Sequence, residues 1–381
     1  IERGILMSTD EMMKIMDEIR ENRKKFRVDH FDIVVSEYVS RYKERKIVLD
    51  PPYQRIFRWD IEKQSALIES ILIGIPLPPI FAFSNDNYEW EIIDGVQRTT
   101  TLLHFLVPEL FPEKFNVKNG KGPVIEGCTI LKELNGKRID DLPENAVNAL
   151  KNARLRIELV EDNSDSYSQY LLFSRLNNNG EPLSAQELRN FLIYKLNNKF
   201  YDKLAQLREN LKFKEAFSLK KKRIDKQEDV EYILRFLLCR DIMFGNKKVK
   251  SSYSTIDELI TKEIEKYLRK KNQMELEVEY EIFDETFDFI VQLLGTNAFR
   301  YFHPRTNSVI NTSIIGSALS TNLSAFRNMD KQYLLSRIGE FFNSANYLKI
   351  TSQSYSPTRR FFELSLYAKE YFDDIVSEAK K

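Results

Sequence analysis

The sequence predicts an α+β fold, with a small mixed sheet in the first half of the chain and an all-helical second half. Three observations carry this. Short apolar runs punctuated by Pro, Gly and Asn lie at 46–49, 80–83, 88–93 and 153–161, the length and bounding expected of strands. From about Phe200 onward, apolar residues recur at helical spacing, in Glu228 to Phe244, Ile256 to Leu268, Tyr280 to Leu294, Tyr333 to Tyr347 and Arg360 to Ser377, as in helices that bury one face. Finally, 381 residues exceed what a single core usually holds. The expected division is 1–199 and 200–381. The helical periods do not repeat as a motif, which excludes a solenoid.

Taken in order, Ser8 to Phe26 reads as a charged amphipathic helix whose Met12, Met13, Ile15, Met16 and Ile19 pack on the core or on a partner. The opening Ile1 to Gly4 precedes the first methionine, Met7, and carries no fold argument. A second helix is expected over Phe31 to Tyr42, then a short strand that stops at Pro51-Pro52. Asp60 is placed to cap a helix over Ile61 to Leu72, and Gly74, Pro76, Pro78 and Pro79 force an extended turn into the strand at Ile80. Asn85-Asp86-Asn87 then turns the chain into a hairpin. Pro108 to Pro143, with turn signals at Asn119-Gly120 and Asn135-Gly136, reads as a surface insertion. Ala153 to Glu161 alternates as a strand with one buried face. A helix over Ser166 to Leu176 breaks at Asn177 to Gly180, and Ser184 with Glu187 makes a capping box for Ala185 to Leu196.

Composition narrows the function by exclusion. With 58 basic and 57 acidic residues, no global charge excess points to nucleic acid, so such a surface must be local. Cys128 and Cys239 lie far apart, which fits a reducing compartment and no cysteine-based zinc site. No apolar run has membrane-spanning length and no signal peptide is visible, which makes the cytoplasm the default expectation, with no membrane partner. Neither a GxxxxGK[ST] loop nor a GxGxxG fingerprint is present, so a nucleotide site would be of another type.

The stretch richest in chemistry is Asp94-Gly95-Val96-Gln97-Arg98-Thr99. A strand ends there, a glycine turns the chain, and a helix opens. Such a helix start presents backbone N–H groups and a partial positive charge to an anion, Gly95 permits close approach, and Arg98 adds a forked cation suited to phosphate. Positioning and charge neutralisation are what phosphoryl transfer needs. Arg98 with Arg55 or Arg58 would supply the charge, Asp94 would hold a magnesium ion or orient water, and Gln97 would position the nucleophile. On spacing alone the alternative is equally open, with Asp94 only capping the helix and Arg98 pairing with its neighbours. Trp59 either stacks on a base or closes the core. The run Lys220-Lys221-Lys222-Arg223, near Lys212, Lys214 and Lys226, is a candidate contact for DNA phosphate or a solvated loop.

The order of these features resembles the N-terminal domain of the GmrSD type IV restriction proteins, the family also listed as the domain of unknown function 262. The matching residues are Tyr53-Gln54-Arg55 with Arg58-Trp59, Ser70 with Gly74 to Pro79, Asp94-Gly95 with Gln97-Arg98, and Leu176-Asn177 with Gly180 and Leu183. The match spans roughly 31–196. The resemblance implies a ParB/sulfiredoxin-like fold, nucleotide phosphates gripped at Asp94 to Arg98 with Gly95 and Thr99, and a nucleoside triphosphate with Mg²⁺ as ligand; Asn177 to Gly180 form either a polar wall of that pocket or only a turn. It further implies a sensor or regulatory role in bacterial antiphage defence, with DNA, a nuclease or another defence subunit as partner. Val96 stands where the family usually carries a second glutamine, which leaves hydrolysis open. The histidine-based nuclease that restriction members carry is not expected, because His30, His104 and His303 are widely separated. The rival readings are a DNA- or partner-binding module with a gating or vestigial nucleotide site, and a ParB-like nuclease acting through Asp94.

Overall fold

The structure is a computed structural model that describes residues 9–24, 28–49, 59–110, 121–161, 166–176, 183–217, 219–245, 253–298, 309–352 and 354–379. The chain forms two compact units, 1–182 and 183–381. The first contains α1 (Thr9–Arg23), β1 (Val28–Val34), α2 (Val35–Lys43), β2 (Ile47–Val48), α3 (Ile61–Leu72), β3 (Ile80–Ser84), β4 (Trp90–Asp94), α4 (Val96–Leu106), α5 (Glu144–Asn152), β5 (Arg154–Glu161) and α6 (Ser166–Leu176). Its strands form one mixed sheet in the order β1-β5-β3-β4-β2. β1 with β5 and β3 with β4 run antiparallel, whereas β3 with β5 and β2 with β4 run parallel. The α+β class is therefore as the strand signals required.

Period-two alternation sends Ile80, Ala82, Trp90, Ile92, Leu155 and Ile157 to one face, where they meet Tyr38 of α2, Leu67, Ile68 and Ile71 of α3, and Leu102 and Leu103 of α4. Local chemistry fixes the helix starts. Asp60 Oδ1 accepts from the Lys63 amide at 2.8 Å, and Asn85 to Asn87 close the β3–β4 hairpin through Asn85 Oδ1, which accepts from the Asn87 and Glu89 amides.

Two sequence expectations are corrected here, the helix at Phe31 and the packing of α1 on the core, and a third is completed. Phe31 to Val34 belong to β1, not to a helix: the strand and helix signals abut without a Gly or Pro between them, and pairing of Phe31 with Ile157 and Ile33 with Leu155 wins. The apolar side of α1 is not packed on the core, for every residue from Asp10 to Lys24 is exposed. The stretch after Pro108 is, among its described residues, loop-rich and mostly at the surface as expected, but it is anchored. Ile125 is fully buried, and the buried Glu69 of α3 accepts from the amides of Ile130 and Leu131 at 2.9 and 2.6 Å, pinning that loop against the helix layer.

The second unit comprises α7 (Ala185–Leu196), α8 (Asn198–Arg208), α9 (Leu211–Phe217), α10 (Lys221–Asp225), α11 (Glu228–Phe244), α12 (Ile256–Lys270), α13 (Gln273–Leu294), α14 (Val309–Thr321), α15 (Leu323–Arg327), α16 (Lys331–Asn343), α17 (Ala345–Thr351) and α18 (Pro357–Glu378). No strand occurs in it among the described residues. The Ser184–Glu187 capping box forms in both directions. The expected helix over Tyr333 to Tyr347 is two helices, because Ser344 stops α16 and caps α17. α11 is buried nearly all round, against α8, α12, α14 and α18. Although the sequence division at 199 groups α7 with the first domain, α7 packs on α8 and α12. Its Arg189 is fully buried and donates to Thr261 and Asp257, each at 3.2 Å. Among the described residues no helix is long and apolar enough to cross a membrane.

Glu69→Ala leaves two loop amides without their acceptor and is expected to lower unfolding stability by about 1–3 kcal/mol in urea titrations. Met12→Lys with Ile19→Lys, on the exposed α1, should change it by less than about 0.5 kcal/mol per site.

Candidate functional site

The site is built where β4 becomes α4. Ile92 and Ile93 are buried on opposite faces of the sheet, so the strand arrives rigidly at Asp94, which pairs with Phe81 of β3. Gly95 then adopts φ +96°, and a Cβ there would lie 3.1 Å from the Ile80 side chain and 3.2 Å from the Arg98 guanidinium. Only glycine fits both the left-handed backbone and the space. Gly95, not Asp94, is the N-cap residue, and no side chain caps α4. The Thr99 amide bonds the Gly95 carbonyl at 2.8 Å, the bond that opens the helical ladder of α4.

Arg98, one turn along α4, reaches back over this opening. It donates to Asp94 Oδ2 at 3.1 Å and to the carbonyl of Pro79 at 3.1 Å, and it also donates to the carbonyl of Pro78. The proline turn that the sequence placed before β3 is thus held to the end of β4 by one guanidinium. Its side chain is 12% exposed, that of Asp94 35%. Burial pushes the Asp94 carboxyl above its ordinary range, against the opposing pull of Arg98 and the Gly95 amide. Burial likewise lowers the guanidinium, with Asp94 and Tyr38 opposing. The pair is held in place while incompletely hydrated, a state in which an additional anion or cation changes the local balance strongly.

Thr99 is buried, and its Oγ1 lies 2.9 Å from the hydroxyl of the buried Tyr38 on α2. With its amide and hydroxyl both engaged, Thr99 seats the helix. Gln97 Oε1 accepts from the amide of Trp59 at 3.2 Å. The Trp59 ring packs, half-buried, against the core, as the core reading of that residue expects. Val96, too, packs partly buried against the core.

Of the residues singled out in the sequence, Asp94, Gly95, Gln97, Arg98 and Thr99 come together at this turn. Arg55, Arg58 and Asn177 lie outside the described residues, as do the rest of the first box before Trp59 and Gly180 of the third. In the second unit, Lys220, Lys221 and Lys222 are exposed at α10, while Arg223 is drawn to Glu228 and to the Tyr232 hydroxyl, at 2.5 and 3.1 Å. Lys212 and Lys214 pair with Glu215 and Glu209. Sequence reasoning missed Tyr38, Gln64 and His104. Gln64 was legible as a polar residue at helical spacing from Leu67, Ile68 and Ile71 on the buried side of α3; the Pro78 and Pro79 carbonyls leave no such signal.

Residues 35–194 match the family model described as the GmrSD restriction endonuclease N-terminal domain. This stretch belongs to that domain family. No curated protein and no solved structure matches the chain. The GmrSD domain model begins at α2 and ends within α7, so it takes in the whole of the Asp94–Arg98 turn and the Tyr38 and Gln64 contacts around it.

Because the Asp94 carboxyl holds its proton to higher pH in the folded protein than in the unfolded chain, the folded state binds the extra proton between those two values. Lowering pH through that window therefore favours folding through this group, and raising pH through it removes the gain. The difference in unfolding free energy between wild type and Asp94→Asn should vary in that sense below neutrality, and the Asp94 carboxyl carbon should titrate above 3.8 by NMR.

Proposed function

We propose that the GmrSD N-terminal domain of this chain binds the phosphates of a nucleoside triphosphate, with Mg²⁺, at the start of α4, and that it serves as a sensor or regulatory element of a restriction or antiphage system. The observation that carries the reading is the start of α4 behind the left-handed Gly95, an N-cap residue with no capping side chain, with the Arg98 guanidinium beside it. Backbone donors, the helix dipole and a partly buried cation converge there on the position an anion would take. The biological setting rests on the family's description as a restriction endonuclease domain, and the nucleotide on this geometry.

Arg98 enters such a site already braced by the Pro78 and Pro79 carbonyls, so its charge is positioned before any ligand arrives, which lowers the ordering cost of binding. Asp94 is the carboxylate that would hold Mg²⁺. A single partly exposed carboxylate suits an ion that keeps water and takes its remaining ligands from phosphates, and no cluster of three or more metal-ligating residues occurs among the described residues. Val96 is turned to the core where relatives usually carry glutamine, and Gln97 holds a backbone amide with its oxygen, so binding and conformational signalling are the expected output and turnover is slow. The exposed Lys220, Lys221 and Lys222 support a second reading, contact with DNA or with a partner nuclease, in which the α4 site gates that contact.

Purified protein should gain several degrees of thermal stability with at least one of ATP, GTP, CTP or UTP plus Mg²⁺. Arg98→Ala should lose that gain, and its ligand-free melting temperature, measured alongside, separates loss of binding from loss of fold. No shift with any of the four would overturn the proposal. DNA binding that weakens with salt and on neutralising Lys220 to Lys222, yet survives Arg98→Ala, would favour the second reading.

A further inference from the structure

In the second unit, the turn that carries the basic run is fastened to α7 by a buried polar relay. Arg189 donates to Thr261 and Asp257 of α12 and also to Gln186 Oε1. With its oxygen so engaged, Gln186 turns its NH₂ group to Asn190 Oδ1, 2.7 Å away, and Asn190 in turn presents Nδ2 to Gln227 Oε1. Donation therefore runs one way, from Arg189 through Gln186 and Asn190 to Gln227, and the three α7 residues are all buried. Gln227 joins α10 to α11. Its φ of +58° is a left-handed value that a non-glycine residue keeps only when its surroundings hold it. Ser184 Oγ adds a second hold, donating to the Lys226 carbonyl at 3.1 Å.

This relay holds in place a set of unpaired charges. Lys220, Lys221, Lys222 and Lys226 are exposed and enter no ion pair among the described residues, whereas Arg223 is tied to Glu228 and Tyr232. Asp225 is the only acid from 220 to 226. Ammonium groups confined to one short turn repel one another, so a fastened turn that keeps them together is set up for a polyanion. The same stretch holds no aromatic residue on which a base could stack, and lysine offers a point charge, not the planar fork that reads a guanine edge. We propose that the turn is a sequence-independent contact for the phosphate backbone of duplex DNA, made by Lys220, Lys221, Lys222 and Lys226, with Asn190 of α7 as its positioning residue. The surface belongs to the DNA arm of the second reading above, on which this assignment rests. α7 is the last element that the GmrSD domain match reaches, so its buried polar face joins the end of that domain to the lysine turn beyond it.

Fluorescence anisotropy of the full chain with two short duplexes of unrelated sequence, across about 50 to 200 mM NaCl, tests both parts. The wild type should bind the two duplexes within about twofold of each other, since phosphate contacts carry no sequence information. Each lysine contact should contribute about 0.9 to the slope of log affinity against log salt, so Lys220→Gln, Lys221→Gln, Lys222→Gln and Lys226→Gln combined should reduce that slope by about 3.6. Asn190→Leu should weaken binding about fivefold at about 100 mM salt and reduce the slope as well, because lysines on a loosened turn no longer meet the duplex together. Should it fail to fold, as judged by circular dichroism, Gln227→Met on the turn itself takes its place with the same expected outcome. A wild type that binds no DNA overturns the second reading and this surface with it, whereas binding whose slope survives all four lysine changes leaves that reading standing and overturns the surface. A preference of more than about tenfold for one duplex overturns sequence independence. Displacement of the duplex by polyglutamate as readily as by unlabelled duplex overturns DNA in favour of an acidic protein segment. A folded Asn190 or Gln227 variant with unchanged slope overturns the role of α7.

Discussion

The grip of Arg98 on Asp94 and on the carbonyls of Pro78 and Pro79 is the interaction on which the first unit's geometry depends. It fastens the proline turn ahead of β3 to the end of β4 and to the first turn of α4, three pieces of chain that backbone pairing alone does not bring to one point. The cost is burial of a guanidinium and part of a carboxylate. Direct pairing and charge-assisted bonds to two carbonyls offset that cost. A glycine is obligatory beside it, since any side chain at position 95 would press on Ile80 and on the guanidinium itself.

Such a centre is poised more than it is merely stable. The carboxyl is raised and the guanidinium lowered, each chiefly by loss of water. A phosphate arriving at the start of α4 would give the guanidinium a second counter-charge, while a divalent ion would satisfy the carboxylate. The two ligands therefore relieve opposite halves of one pair, a physical reason for them to bind together. Behind this front, Tyr38 holds Thr99, and Gln64, His104 and Gln97 hold Trp59, so the helix that carries the site is fixed from two sides.

Much of this was legible in the sequence, where a residue type implies a specific backbone bond. Asp60 and the Ser184–Glu187 pair announced their helix starts, Asn85 to Asn87 their hairpin, and Asp94-Gly95 the strand-to-helix turn. What stayed hidden depended on partners distant in sequence. β1 looked helical because Ile33 and Val34 run straight into α2, and only pairing with β5 decides their conformation. The anchoring of the surface loop after Pro108 was not legible, because nothing in its own residues reveals that Glu69, about sixty positions earlier, caps its amides. α1 carries an apolar stripe that periodicity alone would bury, yet it is exposed along its length. At the site, Arg98 read as a fork for phosphate, and its grip on two proline carbonyls, which have no side-chain signature, could not be inferred.

If the first turn of α4 is the anion site, its backbone amides must respond to the ligand. Amide-resolved NMR of ¹⁵N,²H-labelled protein during titration with a Mg²⁺–nucleoside triphosphate tests it at those atoms. The Val96, Gln97 and Arg98 amide signals should move first and furthest, saturating together with the Arg98 side-chain signal. Titration with any of the four nucleotides that leaves those amides unmoved, or that moves only signals elsewhere, would contradict it.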